Sequence, residues 1–265
     1  MNSTSSGPND PALAQITRPV SNLQSLLEEL RQLEGWSFRG LRDSSWTIES
    51  SIERAARRRE LNINEYEPFC VREFQRRAQT YFPNLPNLKD TVEWLALMQH
   101  YGAPTRLIDF TDSYWVGLFF ALEYSEGDSA LWAIKHAGLA VPVQWQSYVT
   151  DRNKSLANVI KLDTHENQGS LKPIDLIDQD VPFRVNDRLD IQRGRFLFSY
   201  EINKPFLRVY QNQFGLNQNQ IRKYVIPKNL RNSIVDRLLE TNCDARTLFP
   251  GPDGFARSFQ NLRLH

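Results

Sequence analysis

The sequence predicts an α+β fold, with a helix-rich N-terminal half packed on a mixed or antiparallel sheet. Three observations carry this reading. Apolar residues recur at helical spacing mainly in the first half of the chain. Short strand-like runs are scattered among and after them, without the regular alternation of a parallel α/β sheet. Hydrophobic residues make up 40% of the 265 positions, enough to bury a full core, so disorder is excluded as the default state.

Residues 1–20 open on a polar stretch and are expected to form a flexible tail, ahead of a single domain over 21–265. Ser21 and Gln24 fit a capping box, and Leu23, Leu26, Leu27, Leu30 and Leu33 follow at helical spacing until Gly35. Trp36–Leu41 is predicted as a strand, with residues 46–48 as a neighbouring strand beyond a polar turn. A helix bearing Arg54, Arg57, Arg58 and Arg59 comes next, then a longer one over about 64–82, ended by Pro83 and Pro86. Asp90 is the expected cap of an apolar, buried helix that stops at Gly102. Residues 103–111 form a connection to another apolar helix, capped by Asp112 and carrying Trp115, Leu118, Phe119 and Leu122. Strands are predicted over 130–134, 196–200 and 220–226, with a weak pattern between Lys135 and Pro182. Ile234, Leu238 and Leu239 mark a late helix.

Several chemistries are excluded. Lys and Arg number 32 and Asp and Glu 31, so bulk charge does not grip nucleic acid. A local basic patch over Arg54, Arg57, Arg58, Arg59, Arg72, Arg76 and Arg77 stays open, against a solvated helix face balanced by Glu53, Glu60, Glu65, Glu67 and Glu73. The two cysteines, Cys70 and Cys243, make neither a disulfide scaffold nor a cysteine-rich zinc site. His100, His136, His165 and His265 lack ligand spacing, so no metal is expected. The phosphate-binding loop, the dinucleotide fingerprint and the Gly-x-Ser-x-Gly elbow are missing. No window reaches the roughly 18 apolar residues of a membrane span, and the start has no apolar leader, so a cytoplasmic protein without a membrane partner is expected.

What remains is polar chemistry inside apolar segments. Arg39 lies within Trp36-Ser37-Phe38-Arg39-Gly40, either at a strand edge facing water or aimed into a cleft, with Gly40 admitting a ligand or another backbone. Gln99-His100-Tyr101-Gly102-Ala103-Pro104-Thr105-Arg106-Leu107-Ile108-Asp109-Phe110-Thr111 is the densest polar stretch between two apolar helices. Arg106 and Asp109 are expected to pair across it, as a structural bridge or as the wall of a site.

These segments resemble the FRG domain, a family named for its Phe-Arg-Gly motif, here Phe38-Arg39-Gly40. The stretch from Gln99 to Thr111 is similar to its central signature, with Phe110 where tryptophan is common. Phe119-Phe120-Ala121, Gln192-Arg193-Gly194-Arg195-Phe196, Ile226-Pro227-Lys228 and Leu248-Phe249-Pro250-Gly251 extend the resemblance over roughly residues 35–259. The order of elements is in turn similar to that of divergent ADP-ribosyltransferases, which implies a split sheet, NAD as substrate and no metal. The resemblance implies an early-strand arginine, then a hydroxyl or aromatic residue, then a late Glu or Gln: Arg39, then Thr111 or Tyr114, then Gln192 or Glu201. His100 joins the catalytic set, and His100 or Asp109 supplies the base if Gln192 is the third member. Phe38, Arg39, Gly40, Thr105, Arg106, Asp109 and Tyr114 are implied around the NAD. The context implied is a bacterial toxin or anti-phage effector that modifies RNA, DNA or protein and meets an antitoxin protein. The rival reading is a non-catalytic module in which Arg39 and Arg106 grip a phosphate, a nucleotide or a partner carboxylate.

Overall fold

The computed structural model describes residues 11–135, 141–162, 172–182 and 187–259. Seven strands form one mixed sheet in the order β1-β7-β4-β2-β3-β6-β5. They are β1 (Thr17–Pro19), β2 (Trp36–Leu41), β3 (Ile108–Thr111), β4 (Ser129–Lys135), β5 (Ile177–Asp180), β6 (Gly194–Ser199) and β7 (Ile221–Ile226). Only β1 and β7 run parallel; the other neighbours are antiparallel. An α+β architecture is therefore present.

The sheet is tightly laced on one side of its centre and loose on the other. β2 pairs with β4 along its whole length, from Trp36↔Lys135 to Leu41↔Ala130. Its pairing with β3 is a single contact, Phe38↔Thr111. β3 then pairs fully with β6. The two strands part beyond that contact, and the sheet is partly split there.

Helix α6 (Tyr114–Leu122) lies directly on β2. Gly40 makes this possible: a Cβ there would stand 2.2 Å from the Ala121 nitrogen and the Gly117 oxygen. It is therefore another backbone, not a ligand, that approaches Gly40. α2 (Leu23–Arg31) and α11 (Arg231–Glu240) bury leucines against the same core as α6. α10 (Phe206–Phe214) covers the opposite face, and α4 (Ile63–Ala78), α5 (Thr91–His100) and α8 (Arg152–Ile160) pack a third cluster against β6.

Local chemistry corrects several expectations. The part of the expected tail within the described residues forms α1 (Pro11–Ile16) and β1, because Ile16 buries completely and β1 finds an open edge on β7. Residues 1–10 lie outside the described residues. Asn22, not Ser21, caps α2 by accepting from the Ser25 N–H. Ser113, not Asp112, caps α6, while Asp112 takes a bidentate bond from Arg195. The Asp90 side chain makes no cap hydrogen bond at α5. Residues 46–48 form no strand. Residues 108–111, expected as a connection, are β3, because Ile108 and Phe110 both find apolar cover.

Candidate functional site

A cavity of about 550 Å³ opens where β2 and β3 part. That lies within the range of small-molecule sites. Its walls come from β2 and the loop after it, the end of α5, β3, α9 (Asp187–Ile191), the end of α6 and α13 (Pro252–Ser258).

Arg39 sits at the parting, with its side chain 15% exposed. Strand alternation sends the Arg39 and Asp109 side chains to opposite faces of the sheet. The guanidinium therefore meets the Asp109 backbone first, donating Nη1 to its carbonyl at 2.7 Å, with the carboxylate 4.0 Å away. The Arg39 Nε is buried and has no hydrogen-bond partner among the described residues. Burial pushes its pKa below the ordinary arginine value, Asp109 opposes this and Arg54 adds to it. The group still stays charged, because arginine titrates far above neutrality. Asp109 is 65% exposed at the cavity and accepts from Gln99 Nε2 at 2.8 Å.

His100 closes α5 and lines the cavity, its ring edge-on to Tyr101. Burial and the nearby Arg188 charge lower its pKa, so the imidazole is neutral at neutral pH. Phe38 and Gly40 line the cavity from under α6.

Thr111 and Gln192 also reach the cavity wall, where the Thr111 hydroxyl and the Gln192 amide nitrogen are engaged in internal bonds. The Thr111 hydroxyl donates to the Gln192 carbonyl at 2.6 Å, and the Gln192 amide donates to the Leu248 carbonyl at 2.9 Å. They tie β3, the α9 turn and the C-terminal segment together.

Four of the expected site residues lie elsewhere. Arg106 does not pair with Asp109. It makes a buried bidentate bond to Glu67 of α4 and donates to the Ser199 carbonyl at 2.9 Å. Thr105 is buried, donating its hydroxyl to Gln99 and its N–H to the Ser51 hydroxyl. Tyr114 packs edge-on against Phe38 at the start of α6. Glu201, just past β6, accepts from the Asn203 N–H and lines a different, small pocket beside Arg106.

Sequence reasoning missed part of the wall. Arg188 lies over Phe249 at 4.6 Å, and Arg257 over the same ring at 3.9 Å. Arg257 also makes a bidentate bond to Glu123, which is buried. Arg42 covers Trp46 at 5.0 Å. Arg42 and Arg188 form no ion pair among the described residues. The Glu67 pairing had a signal: an acid on the apolar stripe with Val71 and Phe74 needs a buried cation. Arg188 and Arg257 had none, because each lies in a short polar segment without periodicity.

Among the described residues, no group of three or more His, Cys, Asp or Glu side chains is placed to hold a metal, and no helix is long and apolar enough to cross a membrane. Neither a curated protein nor a solved structure matches the chain. The family-level match is narrower than the motif resemblance, and Arg188, Gln192 and Arg257 fall outside it. Residues 34–130, from the turn before β2 through α6 to the start of β4 and including Arg39, His100 and Asp109, match the FRG domain model.

Proposed function

We propose that the cavity binds NAD and that the protein transfers ADP-ribose from it to an acceptor. The observation that carries this is Arg39 at the parting of β2 and β3, a largely buried cation beside an accessible carboxylate, Asp109. A guanidinium suits a pyrophosphate, whose charge it matches with directed N–H donors. Arg188 adds a second cation to the same cavity.

The chemistry assigned to the chain is modest. The bond between the ribose C1′ and the nicotinamide nitrogen breaks, and its electron pair leaves with nicotinamide, which becomes neutral. The Asp109 carboxylate stabilises the positive charge that develops on the ribose. The acceptor's nucleophile then bonds to C1′ and releases its proton to Asp109. This assignment moves the acid–base role to Asp109, since Gln192 cannot take a proton and Glu201 lines another pocket.

One observation favours the non-catalytic reading. The Thr111 hydroxyl donates to the Gln192 carbonyl and accepts from the Ser113 N–H, so it is not free to fix a ribose. Calorimetric titration with NAD, alongside an assay for released nicotinamide, decides between the two. Saturable NAD binding with release that disappears in Arg39→Ala supports transfer. Nucleotide binding with no release, under any acceptor, establishes the module instead.

A further inference from the structure

If the cavity holds NAD, as proposed above, an acceptor reaches it through the mouth, and the chemistry of the mouth selects the acceptor. Three large aromatic side chains line the cavity and stay exposed: Trp46 at 43%, Tyr101 at 59% and Tyr124 at 47%. They come from three places, namely the loop after β2, the end of α5 and the residues after α6. Two of them have a guanidinium against the ring: Arg42 at 5.0 Å from Trp46 and Arg257 at 5.6 Å from Tyr124. Tyr101 packs beside Phe82 at 4.7 Å. Tyr124 is held in the left-handed region, with φ 60°, a conformation that disfavours bulky side chains.

The charges at the mouth point the same way. Arg42 and Arg188 form no ion pair among the described residues, although the Asp109 charge reaches Arg188, and Glu123 is committed to Arg257. On and beside α3 (Ser51–Arg58) and α4, Arg57 pairs with Glu49, and Arg76 and Arg77 with Glu73, whereas Arg54, Arg58, Arg59 and Arg72 form no ion pair among the described residues but do not line the cavity. Exposed π faces interleaved with unpaired guanidinium groups are the means by which proteins hold unpaired bases and their phosphates.

We propose that the mouth docks single-stranded nucleic acid, with bases stacked on Trp46, Tyr101 and Tyr124 and phosphates met by Arg42 and Arg188. The acceptor of ADP-ribose is then a nitrogen or oxygen of that strand, which gives up its proton as it bonds to C1′.

The test is fluorescence anisotropy of labelled oligothymidylate, oligouridylate and a duplex, without NAD, followed by transfer assays with labelled NAD. Single strands of one or both kinds are expected to bind, to weaken steeply with salt and to outcompete the duplex. Trp46→Ala and Tyr101→Ala should each weaken binding by roughly tenfold or more. Tyr81→Ala, an exposed ring that does not line the cavity, should leave binding unchanged. Equal binding of duplex, unchanged binding by folded Trp46→Ala and Tyr101→Ala, or label recovered on protein alone would overturn the proposal. Single-strand binding without nicotinamide release would sustain the docking surface while refuting the transfer reading.

Discussion

At the scale of single residues, two arginines that look alike in sequence do opposite work. Arg106 is sealed inside the molecule with Glu67, each side chain at most 3% exposed. Arg106→Ala should therefore strand the Glu67 carboxylate and cost about 3–5 kcal/mol in chemical denaturation. Replacing both partners by apolar residues should recover most of that loss. Arg39 has one hydrogen bond and a cavity beside it. Arg39→Ala should cost only about 1 kcal/mol of stability while weakening NAD by roughly tenfold to a hundredfold in calorimetry. His100 gives a prediction in pH. Its folded pKa lies below the ordinary histidine value, through burial and then the Arg188 charge. On acidification the unfolded chain takes up this proton first, so stability falls as pH drops from the ordinary histidine value toward the lowered one. An NMR titration should show the depressed value, and Arg188→Ala should raise it.

At the scale of elements, the contact between β2 and α6 sets the position of Arg39. Gly40 admits the helix backbone at a distance no Cβ tolerates. Gly40→Ala should push α6 away from the sheet and lower the melting temperature markedly, because the atoms met are backbone and cannot rotate aside. The same variant should also weaken NAD, since the neighbouring Arg39 moves with the strand. A variant that melts normally would show that α6 can shift freely. Another element-level feature is the α13 wall: Arg257 clamps Glu123 and stacks on Phe249, so the C-terminal helix is fastened to the end of α6.

Across the whole molecule, what the sequence revealed follows how local each signal is. Helix α4 was legible because its apolar residues recur at helical spacing, and β2, β4, α5 and α6 because each is a compact apolar run bounded by turn or cap residues. β3 was not, because four residues flanked by proline and polar side chains resemble a loop until β6 supplies their pairing. Arg39, His100 and Asp109 were legible as motif residues, and they share the cavity. The partner of Arg106, and the roles of Thr111 and Gln192, were not, because each depends on contacts between segments distant in sequence. The pairing of β1 with β7 has a further consequence, for synthesis. Thr17 pairs with Lys223, so β1 must wait for β7, the last of the seven strands in chain order. Contacts of such separation close late and slowly. A nascent chain halted before β7 would leave β1 unpaired and Ile16 without β7 cover, an invitation to proteases that the finished molecule withdraws.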